Sequence, residues 1–169
     1  TYESVLNKNS QEVGRIYSGL GYNLSALGRT KDAEWFYKKA IQIFYDLRLP
    51  EDIAEVFYNM SLNYIQMGEY KQASEYLMIC MKTIEKLHLN SLRVCNVSKL
   101  YGLLALCSVL MGNQFNCERY LLNCKQFLNY VLEKSDADEI GSVHDYAKCD
   151  DDLFLYYFSQ ALLDVLQGK

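Results

Sequence analysis

The chain has 169 residues, 50% hydrophobic and 22% charged, with one proline and nine glycines, which suits one globular domain with a continuous core and suits helix above other structure. No run of about 18 apolar residues exists and the N-terminus shows no secretory apolar region, so the sequence reads as neither membrane-spanning nor exported. A net charge of -4 argues against direct nucleic-acid contact by this piece, and six cysteines without paired spacing point to a reducing, cytoplasmic compartment.

Thr1 to Lys8 opens without a helix-start signal and reads as a lead-in, or as the end of something cut away. Asn9, with Glu12 three residues on, is the predicted cap of a first helix that stops at Gly28 in left-handed geometry. Thr30 is the predicted cap of the return helix, with Asp32 and Glu34 in its first turn, and Pro50 ends it near Leu49. Pro50-Glu51-Asp52 opens a second hairpin that turns at Met67-Gly68-Glu69. Its leading helix shows a stripe of Phe57, Met60, Ser61 and Tyr64, and its return helix one of Ala73, Leu77, Cys80 and Ile84. The return helix runs to about His88, and Asn90-Ser91 breaks it and caps the next. The third leading helix, Leu92 to Met111, is apolar on more than one side and returns after Gly112 to about Lys134. Residues 135–149 read as a loop. The final helix is predicted from Asp150 with a stripe of Leu153, Tyr156, Tyr157, Ala161 and Leu162. Phe154, Phe158, Leu162, Val165 and Leu166 leave that helix little polar side, so its outer face is expected to dock on another subunit unless the chain is a fragment.

The hairpins are copies. Shifting Gly68 back by 40 residues to Gly28 aligns Tyr17, Leu20, Gly21, Leu24, Ala33, Tyr37 and Ala40 with the second hairpin. Shifting it forward by 44 to Gly112 aligns Tyr101, Leu104, Ala105, Ser108, Cys117, Leu121 and Cys124. A half copy, Tyr157 and Ala161, leads to Gly168. These residues resemble the tetratricopeptide repeat, the first copy most closely through Tyr17, Leu20-Gly21, Ala33 and Tyr37. The resemblance implies an all-α solenoid of about three hairpins (about 10–49, 50–89 and 91–134), a loop at 135–149 and a final helix at 150–168 in a single repeat domain. The period exceeds the usual one and the closing proline is missing, so the helices are longer or the turns wider.

Little here suggests catalysis. Cys80, Cys117 and Cys124 fall at small-residue slots of the repeat, where free cysteine acts as a small hydrophobe. No paired cysteine and histidine set suggests zinc, and His88 and His144 stand alone. Asp136-Ala137-Asp138-Glu139-Ile140-Gly141 fails as a calcium loop because Ile140 and Ala147 fall where oxygen ligands are required. No nucleophile triad, phosphate loop or dinucleotide fingerprint is visible, so neither enzyme activity nor a cofactor or metal is expected. Residues 135–169 hold eight acids against Lys148 and Lys169, leaving fifteen basic and thirteen acidic residues in the first 134.

The concave face of stacked hairpins is lined by the leading helices, and residues about two positions from the packed stripe face it. The candidate peptide-binding set is therefore Arg15, Tyr22, Tyr58, Asn59, Leu62, Gln66, Lys99, Leu103 and Leu106, with Ser18, Ser25, Glu55 and Gly102 on the same faces and Asn23, Asn63 and Asn96 just beside them. An asparagine amide matches one peptide unit, the leucines take an apolar side chain, and Arg15 or Lys99 takes a terminal carboxylate. Asn59 stands where peptide-binding tetratricopeptide domains commonly place a backbone-clamping asparagine. Lys99 matches one basic position of their chaperone-tail clamp, whereas Ser18, Tyr22 and Leu103 depart from its other positions. The long-period repeats, the Tyr58-Asn59-x-Ser61-x-x-Tyr64 helix ending in MGEYKQA and the unpaired last helix also resemble the intracellular peptide-pheromone receptors of Gram-positive bacteria, the Rgg/PlcR-like RRNPP group. That resemblance implies a non-catalytic sensor domain of a quorum-sensing transcription regulator, which binds a short peptide in the groove and works as a homodimer. A general scaffold that holds another protein by its convex side or last helix is the alternative.

Overall fold

The structure, a computed structural model, describes residues 10–87, 97–137 and 143–168. Seven helices follow in order: α1 (Gln11–Ala26), α2 (Thr30–Asp46), α3 (Pro50–Gln66), α4 (Tyr70–Leu87), α5 (Val97–Leu110), α6 (Gln114–Ala137) and α7 (Val143–Leu166), with no strand among the described residues. They fall into two compact units, Thr1–Leu92 and Arg93–Lys169.

In the first unit, α1 pairs with α2 and α3 with α4, and α3 packs chiefly on α2. The turn within each hairpin closes in one way. Gly28 and Gly68 take φ of 75° and 76°, the left-handed geometry that glycine adopts without a Cβ penalty. The next amide reaches back across the helix end, Arg29 N–H to Leu24 O and Glu69 N–H to Tyr64 O, each at 2.9 Å, so carbonyls that would lack partners are satisfied. The turn between hairpins repeats this with Arg48 in the glycine position, φ 57°, and Leu49 N–H on Phe44 O at 2.9 Å. Since these turns hold three residues each and α1 to α4 have 16, 17, 17 and 18, the long period resides in the helices.

Packing inside the first hairpin depends on absent side chains. A Cβ on Gly14 would lie 2.5 Å from the Phe44 ring, and one on Gly21 would lie 2.7 Å from Tyr37. Phe44 and Tyr37 therefore sit flat on the α1 backbone and are almost fully buried. With Ala33, Ala40, Val56 and Met60 they form the core, and Tyr17, Leu24, Phe57, Tyr64 and Tyr76 close its edges. Tyr76 stacks against both Phe57 and Tyr64, each at 5.4 Å between centroids. Each large side chain in that core contributes about 1.5–3 kcal/mol through burial.

The second unit departs from this stacking. The α5–α6 pair closes at Gly112, φ 73°, with Asn113 N–H on Ser108 O at 2.8 Å, and Asn113 Oδ1 then caps α6 by accepting from Asn116 N–H. α7 lies mainly along α5 and less on α6, so Leu155 comes to 3.0 Å of the Cβ position of Gly102. Ser159 and Leu163 are buried on that side, and Gln167 ties the end of α7 to Glu118 on α6 at 2.7 Å.

Several expectations are corrected. Ser10, not Asn9, caps α1, its hydroxyl accepting from Val13 N–H at 3.3 Å, while the Glu12 carboxyl is held below its usual range first by a backbone hydrogen bond and then by one with the Ser10 side chain. Thr30 is the first residue of α2 rather than its cap, which is Arg29, without a side-chain capping bond but with its guanidinium on Asp32 in the first turn. Leu20 is exposed, because Gly21 and Leu24 suffice for the close α1–α2 approach. α6 continues to Ala137 and α7 begins at Val143, so Asp150-Asp151-Asp152 lies inside a helix rather than at its start. The packed side of α7 carries Ser159 and Leu163, while Tyr157 and Ala161 face outward. The expected break at Asn90-Ser91 and His88, Cys95 and Asn96 lie outside the described residues, as does most of the rejected calcium loop.

Candidate functional site

The two leading helices of the first unit meet along a ladder of polar residues. On α1, Gln11, Ser18 and Ser25 recur every seven residues, and on α3 Asp52, Asn59 and Gln66 do the same, so each set keeps to one helix face. The first rung is closed, Gln11 Nε2 donating to Asp52 Oδ2 at 2.9 Å and Arg15 Nε to Asp52 Oδ1 at 3.3 Å. The Asp52 side chain is 7% exposed, so these bonds stand in for water that burial removes from its oxygens. The third rung is closed as well, Ser25 Oγ donating to Gln66 Oε1 at 3.1 Å. Both closed rungs pair residues 41 apart. The same offset assigns Ser18 to Asn59 in the middle rung. There both residues are half-buried, and neither side chain makes a hydrogen bond among the described residues. Asn59 thus brings two N–H donors and a carbonyl acceptor to an unfilled place between two satisfied ones.

The predicted site residues divide. Arg15 and Tyr22 follow the α1 rungs by one helical turn, Arg15 paired with Asp52 yet about half exposed and Tyr22 exposed. Leu62 is half-buried beside Asn59, and Gln66 belongs to the third rung. Tyr58 is buried within the chain. Lys99, Leu103 and Leu106 belong to α5 of the second unit, where Leu103 is buried, Lys99 and Leu106 are half-buried, and α7 lies against the Gly102 face. Burial takes Tyr58 and Leu103 out of direct reach of a ligand, because α3 and α5 are packed on more sides than an amphipathic helix at a free edge. The structure therefore gathers Arg15, Tyr22, Asn59, Leu62 and Gln66 on α1 and α3. Asn23 is exposed on α1, and Asn63 turns into the core, where its Nδ2 donates to Thr30 O at 3.1 Å.

Gln11 and Asp52 were missed by sequence reasoning, Asp52 having been read as a helix-start acid. The recurring offset of 41 between polar residues on consecutive leading helices is the signal that would have found them.

The cysteines show the opposite behaviour. Cys80 Sγ donates to Ala54 O at 3.1 Å and Cys124 Sγ to Ser98 O at 3.4 Å, the same contact in two hairpins. Burial pushes the Cys80 and Cys107 thiols up to about 12 and Cys117 to about 11, so these thiols are protonated, weak nucleophiles at neutral pH. Among the described residues, no three His, Cys, Asp or Glu side chains come together to hold a metal, and no helix is long and apolar enough to cross a membrane.

A fold of antiparallel helix pairs with a polar ladder between leading helices is that of a helical-repeat protein. The family model described as tetratricopeptide repeat matches residues 14–46 and 54–85, both within the first unit, and the architecture is an all-α, tetratricopeptide-like one of helical hairpins. Among solved structures, BtubC (BKLC) from P. vanneervenii is similar, with a TM-score of 0.65 at 19% identity over 96% of this chain and 63% of that one. At that identity the likeness shows the fold alone, and the chain spans less than two thirds of that protein's length. No curated protein matches the chain.

Proposed function

We propose that this is a non-catalytic interaction module whose α1–α3 face binds a short extended peptide, with Asn59 clamping one peptide unit through paired donor and acceptor bonds. The observation that carries this reading is the open middle rung: Asn59 is half-buried, without a side-chain hydrogen bond among the described residues, between rungs closed at 2.9 and 3.1 Å. Arg15 offers a guanidinium edge to a carboxylate, and Tyr22 and Leu62 offer apolar surface to a side chain. The resemblance to the peptide-pheromone receptors extends the proposal to the sensor part of a cytoplasmic, homodimeric transcription regulator.

The test uses a pool of synthetic heptapeptides with free C-termini, screened by thermal shift on the whole chain. A peptide at a hundredfold excess over its Kd stabilises the chain by about 2.7 kcal/mol. Asn59→Ala should leave the melting temperature of the free chain nearly unchanged, since no internal bond is lost. It should remove most of the peptide-induced rise, each lost hydrogen bond accounting for about 0.5–1.5 kcal/mol. A rise that survives Asn59→Ala intact overturns the assignment.

A further inference from the structure

Helix α1 has a third face, beyond the two it turns to α2 and α3. Gly14 and Gly21 meet α2, and Gln11, Arg15 and Ser25 reach α3. Glu12, Ile16, Leu20, Asn23 and the cap residue Leu27 fall on the remaining side at helical spacing, and all five are exposed, Ile16 by 54% and Leu27 by 76%. Forty residues on, the same places hold Asp52, Val56, Met60, Asn63 and Met67 of the second hairpin. There the face is covered. Val56 and Met60 are buried in one core with Ala33, Tyr37 and Ala40 of α2, Asn63 Nδ2 donates to the carbonyl of Thr30 at the start of α2, and Asp52 accepts from Gln11 and Arg15 of α1. The chemistry is kept from one hairpin to the next: acid, aliphatic, apolar, asparagine, apolar. Asn23 is the most specific match, because asparagine is a poor helix former and yet stands on α1 where Asn63 anchors the helix stacked on α3.

We propose that this face of α1 seats the return helix of one further hairpin of the same repeat, joined ahead of α1 as the first hairpin is joined to the second. Ile16 and Leu20 then pack on small and aromatic residues of that helix, Asn23 donates to its first backbone carbonyl, and Glu12 accepts from an amide or guanidinium on its leading helix. The end of a helical array otherwise turns a polar face outward, which Ile16, Leu20 and Leu27 do not provide. The polar pair selects this occupant over a second copy. A copy meeting α1 face to face sets Ile16, Leu20 and Leu27 against themselves and leaves Asn23 without the start of a return helix. The surface is separate from the α1–α3 face and does not depend on that face binding peptide.

The probe is the chain's own first hairpin. One more copy of residues 10–49 is placed directly ahead of Ser10, so that the added Leu49 precedes Ser10 as Leu49 precedes Pro50. A lone hairpin of this size cannot bury enough surface to fold, so the added copy becomes helical only by docking. Circular dichroism should gain the signal of a further α1 and α2, and the melting midpoint should rise above that of the parent chain. Leu20→Glu in the original α1 should abolish both gains, although in the parent it should leave the midpoint unchanged, since that position is exposed and glutamate is a good helix former. Asn23→Ala in the original α1 should raise the parent's midpoint through helix propensity and give the extended chain no such rise. An added copy that stays unfolded, gains that survive Leu20→Glu, or a parent destabilised by Leu20→Glu overturns the proposal. So does a parent that is dimeric and becomes monomeric with Leu20→Glu, because a second copy then covers the face.

Discussion

Arg48 holds φ 57° at the turn between the first two hairpins, where the equivalent positions within hairpins are Gly28, Gly68 and Gly112. Left-handed geometry places a Cβ too close to the following carbonyl, at a cost of about 1–2 kcal/mol for a non-glycine residue. The turn persists because Leu49 N–H and Arg48 N–H satisfy the last carbonyls of α2, and because Pro50 starts α3 where its missing N–H costs nothing. Arg48→Gly should therefore raise stability by about 1 kcal/mol, less the extra backbone freedom of glycine in the unfolded chain, with no change in the denaturant m-value. Chemical denaturation of the two proteins decides it; an unchanged or lower midpoint means the turn is not strained. The turn itself was legible from Pro50. Its conformation was not, since Arg48 gives no signal of the kind that Gly28 does. Asn9 against Ser10 is the same difficulty at a helix start: two good caps stand side by side, and only the backbone geometry chooses between them.

Within α1, glycine does two different jobs. A Cβ at Gly14 would be 2.5 Å from the Phe44 ring, whereas one at Gly19 would meet nothing within 4 Å. Replacement by alanine gains about 0.8–1.0 kcal/mol of helix propensity at either position. At Gly14 the ring must move out of a packed core, which costs about 1–3 kcal/mol and outweighs the gain. Gly19→Ala should thus raise the melting temperature and Gly14→Ala should lower it, and the difference between them measures the close approach of α1 and α2 free of propensity. Two shifts of the same sign would mean that the ring is not held as described. The hairpins were legible from the turn glycines and small-residue slots, but facing was legible only in part. Gly21 and Leu24 pack as the repeat implies, while Leu20 is exposed. For α7, the three consecutive aspartates read as a helix start, although Val143 to Cys149 already form helix ahead of them.

At the level of the chain, sequence periodicity treats the three hairpins as equals, and the structure does not. The first unit stacks α3 on α2, closes a polar ladder between α1 and α3, and leaves one rung of it open at Asn59. The second lays α7 along α5, a placement that repeat spacing could not announce because it depends on how Leu155 meets Gly102, far apart in sequence. The predicted site was legible to the same extent: Asn59 and its α1 and α3 neighbours share a face, while Leu103 is taken up by the core of the other unit. If the first unit carries its own core, the segment 10–87 should fold alone. Phe44, Tyr37 and Met60 are almost fully buried in one cluster drawn from that segment's helices, although a unit of this size buries only about 60% of its unfolded surface and is correspondingly marginal. Expressed alone, it should show helical circular dichroism and a cooperative melt below that of the whole chain. Phe44→Ala should cost about 3–5 kcal/mol and unfold the segment outright, because that loss approaches its entire stability. A segment that is helical yet melts without cooperativity would instead assign its packing to contacts supplied from outside 10–87, and Asn59 would have to be studied only in the longer chain.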